Sequence, residues 1–132
     1  MVFFDSDRWY ADGGDLKLRY NYSLNSDSIV VDLGGYKGDF ADIIHTKFNS
    51  NVYVFEPFKE FYNVIEERFN SNEKIRVFNY GISDKTSAEE FHFSNDGSSL
   101  AAVQRFSKED NKAVSIVEVR SFKEVYEELN FD

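Results

Sequence analysis

The residues best suited to chemistry form a glycine-rich turn between an apolar run and a helical pattern. The turn reads Asp32, Leu33, Gly34, Gly35, Tyr36, Lys37 and Gly38. Glycine suits a backbone that turns with positive φ and lets a ligand approach closely, and the amides at the start of the following helix are free to donate hydrogen bonds. These features predict a small-molecule site. A tight β-to-α connection without a ligand would use the same residue types.

A second candidate is Glu56, which ends the run NVYVFE and precedes Pro57. An acid at the end of a second strand can accept hydrogen bonds from both hydroxyls of a ribose, and Glu56 follows the glycine turn at close to the spacing of about 20 residues seen in nucleotide-binding α/β folds. The alternative is an acid favoured by the dipole of the next helix, which Pro57 would open as a first-turn proline. Together with the turn that starts at Asp32, the ligand interpretation is favoured.

Two other nucleotide motifs are absent. The dinucleotide fingerprint G-x-G-x-x-G fails, because the positions two before and two after Gly35 are Leu33 and Lys37. The phosphate-binding pattern that ends in Gly-Lys-Ser or Gly-Lys-Thr also fails, since Lys37-Gly38 has the reverse order. An NAD-dependent oxidoreductase is therefore supported only by analogy of fold.

The remaining polar side chains give weaker signals. His45 and His92 have no nearby His, Cys or carboxylate at the spacing of metal ligands, so we expect positions at the surface or at the rim of the site, and no metal site. The segment 97–99 is interpreted as a hairpin turn, with a loop on the acceptor side of the site as the alternative. The solvated face of the second predicted helix carries Glu60, Glu66, Glu67 and Arg68.

Composition limits the class of protein. The chain has 132 residues, enough for one compact domain, and 42% of them are hydrophobic, so a core is available. A formal charge of -9 repels polyanions, which argues against a nucleic-acid partner. Cysteine is absent, and no apolar stretch approaches the roughly 18 residues that span a bilayer. We expect a cytoplasmic protein that binds neither membranes nor nucleic acid.

The apolar pattern predicts an α/β domain over residues 28–132, preceded by an irregular arm over residues 1–27. Parallel strands are predicted at residues 28–33, 51–56 and 74–80, with a helix after each of the first two. Such a series is typical of half of a doubly wound fold.

The pattern changes after the third strand. Residues 88–94 and 114–119 alternate apolar and polar side chains on either side of a turn at 95–97, which predicts an antiparallel excursion, and residues 121–129 are predicted to form a short helix. An open sheet of three strands leaves an exposed edge. We therefore expect a partial domain, which belongs to a longer chain or is completed by another copy.

Four segments together resemble the FkbM-type family of class I S-adenosylmethionine-dependent methyltransferases. They are VVDLGGYKGDF, VYVFEP, VFNYGISD and SFKEVYEEL, and the resemblance covers about residues 28–132. It implies a partial Rossmann-like methyltransferase fold, with three parallel strands, their helices and an antiparallel hairpin excursion. Two departures stand out: Gly35-Tyr36 replaces a frequent Ala-Asn pair, and the chain ends before the family's fourth strand with its Lys-Asp-Glu-Gly-like segment.

The resemblance also implies how S-adenosyl-L-methionine would bind. The turn residues would hold its methionine end, Glu56 its ribose, and the residues after the third strand its adenine. The cofactor-binding residues expected on this basis are Asp32, Gly34, Gly35, Tyr36, Gly38, Glu56, Pro57, Gly81, Ile82 and Ser83. No catalytic base is assigned.

The expected activity is O-methylation of a small-molecule or sugar hydroxyl, with the methyl group passing from the sulfonium to the acceptor oxygen by in-line displacement. The alternative is a non-catalytic, methyltransferase-like module that binds the cofactor or self-associates as a homodimer. The exposed sheet edge motivates that alternative.

Overall fold

The computed structural model of the chain describes residues 11–14, 19–92 and 114–131. The turn predicted at residues 95–97, the segment 97–99 and part of the predicted arm lie outside the described residues. The side chain of His92 also lies outside them.

A three-stranded parallel sheet forms the centre of the fold. Its strands are β1 (Ile29–Leu33), β2 (Asn51–Phe55) and β3 (Ile75–Phe78), in the order β1-β2-β3. β-Branched and aromatic residues dominate these runs and suit a pleated surface that is covered by other elements. The three predicted parallel strands are confirmed, and the α/β architecture is compatible with a Rossmann-like fold.

Two helices connect these strands. Helix α1 (Asp39–Phe48) follows the glycine turn, with Gly38 as its N-cap at φ 85°, and α2 (Lys59–Phe69) follows β2. The prediction that Pro57 lies in the first turn of the second helix is wrong, because the helix begins two residues later. Phe58, the N-cap of α2, has an extended backbone with φ -83° and ψ 121°, so the residue after the proline is not yet helical.

Both helices pack on one face of the parallel sheet. The core there consists of Ala41, Ile44, Val52, Val54, Ile65, Phe69 and Ile75. Val52 and Val54 alternate along β2 and are fully buried, as the period of a strand requires. Burying one aliphatic side chain of this size contributes about 1.5–3 kcal/mol, so this layer is a main source of stability.

A guanidinium links the last turn of α2 to the first turn of α1. Arg68 of α2 donates to Asp39 at 2.7 Å and to Asp42 at 2.6 Å, both on α1, and to the backbone carbonyl of Lys37 at 2.9 Å. The prediction that Arg68 lies on the solvated face of α2 is confirmed, because the residue is exposed. Its ion pairs with carboxylates on α1 were not predicted, because sequence spacing within α2 does not reveal residues on another helix.

Aromatic rings occupy the opposite face of the sheet. Phe78 stacks on Tyr53 and Phe55, with ring centroids 6.3 Å and 5.0 Å apart, and Phe131 meets Tyr53 edge-on at 4.8 Å. These separations are typical of favourable aromatic pairs. The face is therefore partly covered by the carboxyl-terminal segment.

A second sheet follows the parallel one. It contains β4 (Gly81–Ser83), β5 (Ser87–His92) and β6 (Val114–Ser121) in the order β4-β6-β5, and helix α3 (Phe122–Leu129) comes next. Strands β5 and β6 pair antiparallel, which confirms the predicted antiparallel excursion. The parallel pairing of β4 with β6 was not predicted.

The second sheet packs against the connection between β2 and α2. Phe58 joins Phe91, Val117 and Val119 in a small buried cluster, and the rings of Phe58 and Phe91 meet nearly at right angles with centroids 5.5 Å apart. This contact holds the second sheet beside the carboxyl end of β2, where Glu56 lies.

Candidate functional site

Two carboxyl side chains lie next to each other at one end of the parallel sheet. Asp32 is opposite Val54 in the ladder of β1 and β2, and Glu56 follows β2 directly. Because parallel strands end at the same edge, the sheet brings Asp32, the glycine turn and Glu56 together. Ligands of open α/β sheets bind at this edge.

Glu56 joins the glycine turn to the start of α2. Its Oε2 accepts the backbone N–H of Tyr36 and its Oε1 accepts the backbone N–H of Phe58, both at 2.9 Å. The side chain is only 3% exposed. Burial raises the pKa of Glu56, and the hydrogen bonds from Phe58 and Tyr36 limit the rise. The carboxylate is therefore a structural link, with one further lone pair available on each oxygen.

Among the described residues, Asp32 has fewer hydrogen-bond partners than Glu56. Its Oδ2 is buried and has no hydrogen-bond partner among the residues that the structure describes. Burial raises the pKa of Asp32 from 3.8 to about 6, with Arg19 lowering it and Glu56 raising it further. A buried carboxyl oxygen without a partner costs stability, so it is a strong candidate for a ligand contact.

The turn between them contains two glycines with different roles. Gly34 has φ 88°, a conformation that side chains rarely adopt, and a Cβ placed there would meet nothing within 4 Å. Its surroundings are open to a ligand. At Gly35 a Cβ would lie 2.2 Å from Cγ1 of Val54, so this glycine is required for packing on the sheet.

Tyr36 lies on the outside of the same turn. It has φ 50°, and its exposed ring contacts that of Phe61 with centroids 4.6 Å apart. The ammonium of Lys37 is 5.1 Å from the Tyr36 ring centre. The backbone N–H of Tyr36 donates to Glu56, so a movement of the turn would break this hydrogen bond or displace the acid.

The other predicted site residues are placed differently. Pro57 contacts Gly81, where an added Cβ would lie 3.6 Å from the proline Cβ and 3.2 Å from Val119. Gly81 is therefore buried between β6 and the segment that follows β2. Ile82 and Ser83 are half-buried within β4, and within the described part of the chain no hydrogen bond links them to Asp32 or Glu56.

Two residues near the site carried no signal in the sequence. Asn79 donates from Nδ2 to the backbone carbonyls of Glu56 at 3.0 Å and Pro57 at 3.2 Å, which fixes the segment after β2. Arg19 supplies positive charge to Asp32 from a distant part of the chain. Only the folded arrangement of the strands brings either residue to the site.

In residues 11–14, 19–92 and 114–131, no group of three or more His, Asp or Glu side chains is arranged to hold a metal ion. The ring of His45 contacts the carbonyl of Ser50 at 3.1 Å through Nδ1, which must carry the proton in order to donate. Within the same ranges, no helix has the length and apolar character to cross a membrane.

No protein-family model and no curated protein matches this chain.

Proposed function

We propose that this chain is the cofactor-binding part of an S-adenosylmethionine-dependent methyltransferase that acts on a small-molecule or sugar hydroxyl. The observation that carries the proposal is the pair Asp32 and Glu56, held at adjacent strand ends on either side of a glycine turn that is open at Gly34. The resemblance of the VVDLGGYKGDF and VYVFEP segments to the FkbM-type family supports the same assignment.

The residues present fit an adenosyl ligand with a positively charged tail. Asp32 offers a buried oxygen that lacks a hydrogen-bond partner among the described residues, and the ammonium group of the methionine end would supply one. Glu56 has remaining acceptor capacity for ribose hydroxyls. Glu56 is 3% exposed and accepts the Tyr36 N–H, so binding of the ribose requires a local movement of the turn that exposes the carboxylate.

When bound, the cofactor would supply an electrophilic methyl group. The chain's own contribution is then to orient the donor, since holding donor and acceptor in line can supply several kcal/mol of the barrier reduction. The conformation of Gly34 and the packing of Gly35 on Val54 help to fix the turn that would hold the donor. Deprotonation of the acceptor is assigned to no residue.

Isothermal titration calorimetry of the full chain tests the proposal. S-Adenosylhomocysteine and S-adenosylmethionine should bind at one site per chain, and NAD should not bind. Glu67→Gln, an exposed acid on α2, provides the matched control for Glu56→Gln, because both remove one negative charge with little change in shape. Selective binding of NAD would favour an oxidoreductase and overturn the proposal.

A further inference from the structure

The glycine turn contacts the start of α2 at two points on Tyr36. The backbone N–H of Tyr36 donates to Oε2 of Glu56 at 2.9 Å, and the Tyr36 ring packs on Phe61 of α2 with centroids 4.6 Å apart. The other oxygen of Glu56 accepts the N–H of Phe58, whose ring also contacts Phe61, with 6.3 Å between centroids. One carboxylate and one ring therefore join the turn to the helix.

The backbone of Tyr36 has a conformation that is uncommon for its residue type. Its φ of 50° lies in the left-handed region, which a bulky side chain adopts only at a cost in free energy. Strained residues of this kind persist where surrounding contacts hold them, and they cluster at ligand clamps and switch regions. Here the hydrogen bond to Glu56 and the ring contact with Phe61 hold the strained residue.

Two glycines allow the tip of the turn to move between fixed points. At Gly35 an added Cβ would lie 2.2 Å from Cγ1 of Val54, and at Gly38 it would lie 2.7 Å from an aromatic carbon of α2. Close packing therefore fixes both glycines on the core, whereas their backbone torsions are free of the restrictions that a Cβ imposes. Tyr36 and Lys37 lie between them. Hinge residues absorb changes of φ and ψ in this way while the flanking elements stay in place.

The turn in its observed arrangement buries Glu56. The side chain is 3% exposed, and each carboxylate oxygen accepts one backbone N–H. A movement of Tyr36 away from Phe61 would free Oε2 for a ligand hydroxyl. The same movement would relieve the strain at Tyr36, which offsets part of the cost of the lost hydrogen bond and ring contact. A second, open arrangement of the turn is therefore accessible.

We propose that residues 35–38 form a flap over Glu56, which the ring contact between Tyr36 and Phe61 holds closed and which a ligand opens. A hydroxyl that binds Oε2 takes the place of the Tyr36 N–H, so the flap must leave both of its contacts. The apparent affinity of a ligand is then reduced by the fraction of chains whose flap is open. Removing the ring contact should therefore strengthen binding, although it removes a stabilising interaction.

Amide hydrogen exchange of the ligand-free chain, followed by NMR, measures the opening of the flap. Phe61→Leu should speed exchange of the Tyr36 amide about 2- to 10-fold, the factor that corresponds to the usual strength of one aromatic pair. The Phe58 amide is bonded to the same carboxylate, and its exchange rate should stay the same. Phe122→Leu is the matched control, because Phe122 contacts Tyr126 on α3 with centroids 6.1 Å apart, and this variant also loses one Tyr–Phe pair.

Calorimetric titration with adenosine is the second measurement, and it rests on the proposed function. Phe61→Leu should lower the dissociation constant about 2- to 10-fold, whereas Phe122→Leu should leave it unchanged. A ring that only packed the site or touched the ligand would give the opposite sign. If neither the wild type nor the variants bind adenosine, the proposed function fails, and exchange of the Tyr36 amide still decides whether the flap exists.

Three results would overturn the flap. One is exchange of the Tyr36 amide that Phe61→Leu leaves unchanged, or that Phe122→Leu speeds equally. Another is an equal rise at the Phe58 amide, which would place the movement at the start of α2. The third is weaker binding of adenosine by Phe61→Leu. If circular dichroism shows that Phe61→Leu does not fold, Tyr36→Leu removes the same ring contact and decides alone, because Leu is strained at positive φ as Tyr is.

Discussion

Replacing Asp32 by Asn should stabilise the chain at neutral pH. The rise of the Asp32 pKa from 3.8 to about 6 corresponds to about 3 kcal/mol of destabilisation in the charged form, because one pKa unit is worth about 1.4 kcal/mol. The side chain is partly solvated, and an Asn amide would itself be buried in part. We therefore expect a gain of about 1–2 kcal/mol in the free energy of unfolding.

The pH dependence gives this prediction its sign. The folded chain holds the Asp32 proton more tightly than the unfolded chain, so this group's contribution to stability is most favourable below pH 3.8 and falls as the pH rises to about 6. The Glu56 pKa is raised too, and its contribution has the same sign. The Asn variant should lose only the Asp32 part, and its advantage should disappear near pH 4.

Urea unfolding at a series of pH values measures both quantities. Asp84→Asn, at an exposed acid after β4, controls for the loss of one negative charge from an acidic chain. The reasoning is refuted if Asp32→Asn is destabilising at neutral pH, or if its advantage over the wild type is the same near pH 4 and near neutral pH.

Three further predictions concern stability. Glu56→Gln should lower the free energy of unfolding by about 1–3 kcal/mol, because a Gln amide cannot accept both backbone N–H groups, whereas Glu67→Gln should change it by less than about 0.5 kcal/mol in the same urea titration. Gly35→Ala should lower the melting temperature through a clash with Val54 that costs about 1–3 kcal/mol, and a normal melting curve would contradict the observed packing. Arg68→Ala should cost about 1 kcal/mol or less and lose its effect in high salt, because its two ion pairs with α1 are partly exposed; a larger, salt-independent loss would contradict this.

The parallel sheet could be predicted because its strands are short, β-branched runs. Ile29–Leu33 and Asn51–Phe55 are bounded by turn residues, and the helices that follow them, α1 and α2, bury one stripe each. Local pattern therefore determines these elements. The three-residue strand Gly81–Ser83 could not be predicted in this way, because its pairing with β6 depends on residues more than 30 positions away.

The candidate site was only partly readable from the sequence. The types and spacing of Asp32, Gly34 and Glu56 indicate a site at the strand ends, and the structure brings the two acids to adjacent ends. The sequence did not reveal that Glu56 is bonded to the backbone of the turn, nor that Gly35 is required by Val54. Both facts depend on tertiary packing, which propensity and spacing do not encode.

The central claim is that the two acids contact opposite ends of one adenosyl ligand, and calorimetric titration of three proteins with two ligands tests it most directly. Glu56→Gln should weaken binding of both adenosine and S-adenosylmethionine, since both contain the ribose. Asp32→Asn should weaken binding of S-adenosylmethionine and leave adenosine unaffected, because adenosine lacks the methionine end. If the wild-type chain binds neither ligand, or if both variants bind both ligands as the wild type does, the claim is contradicted.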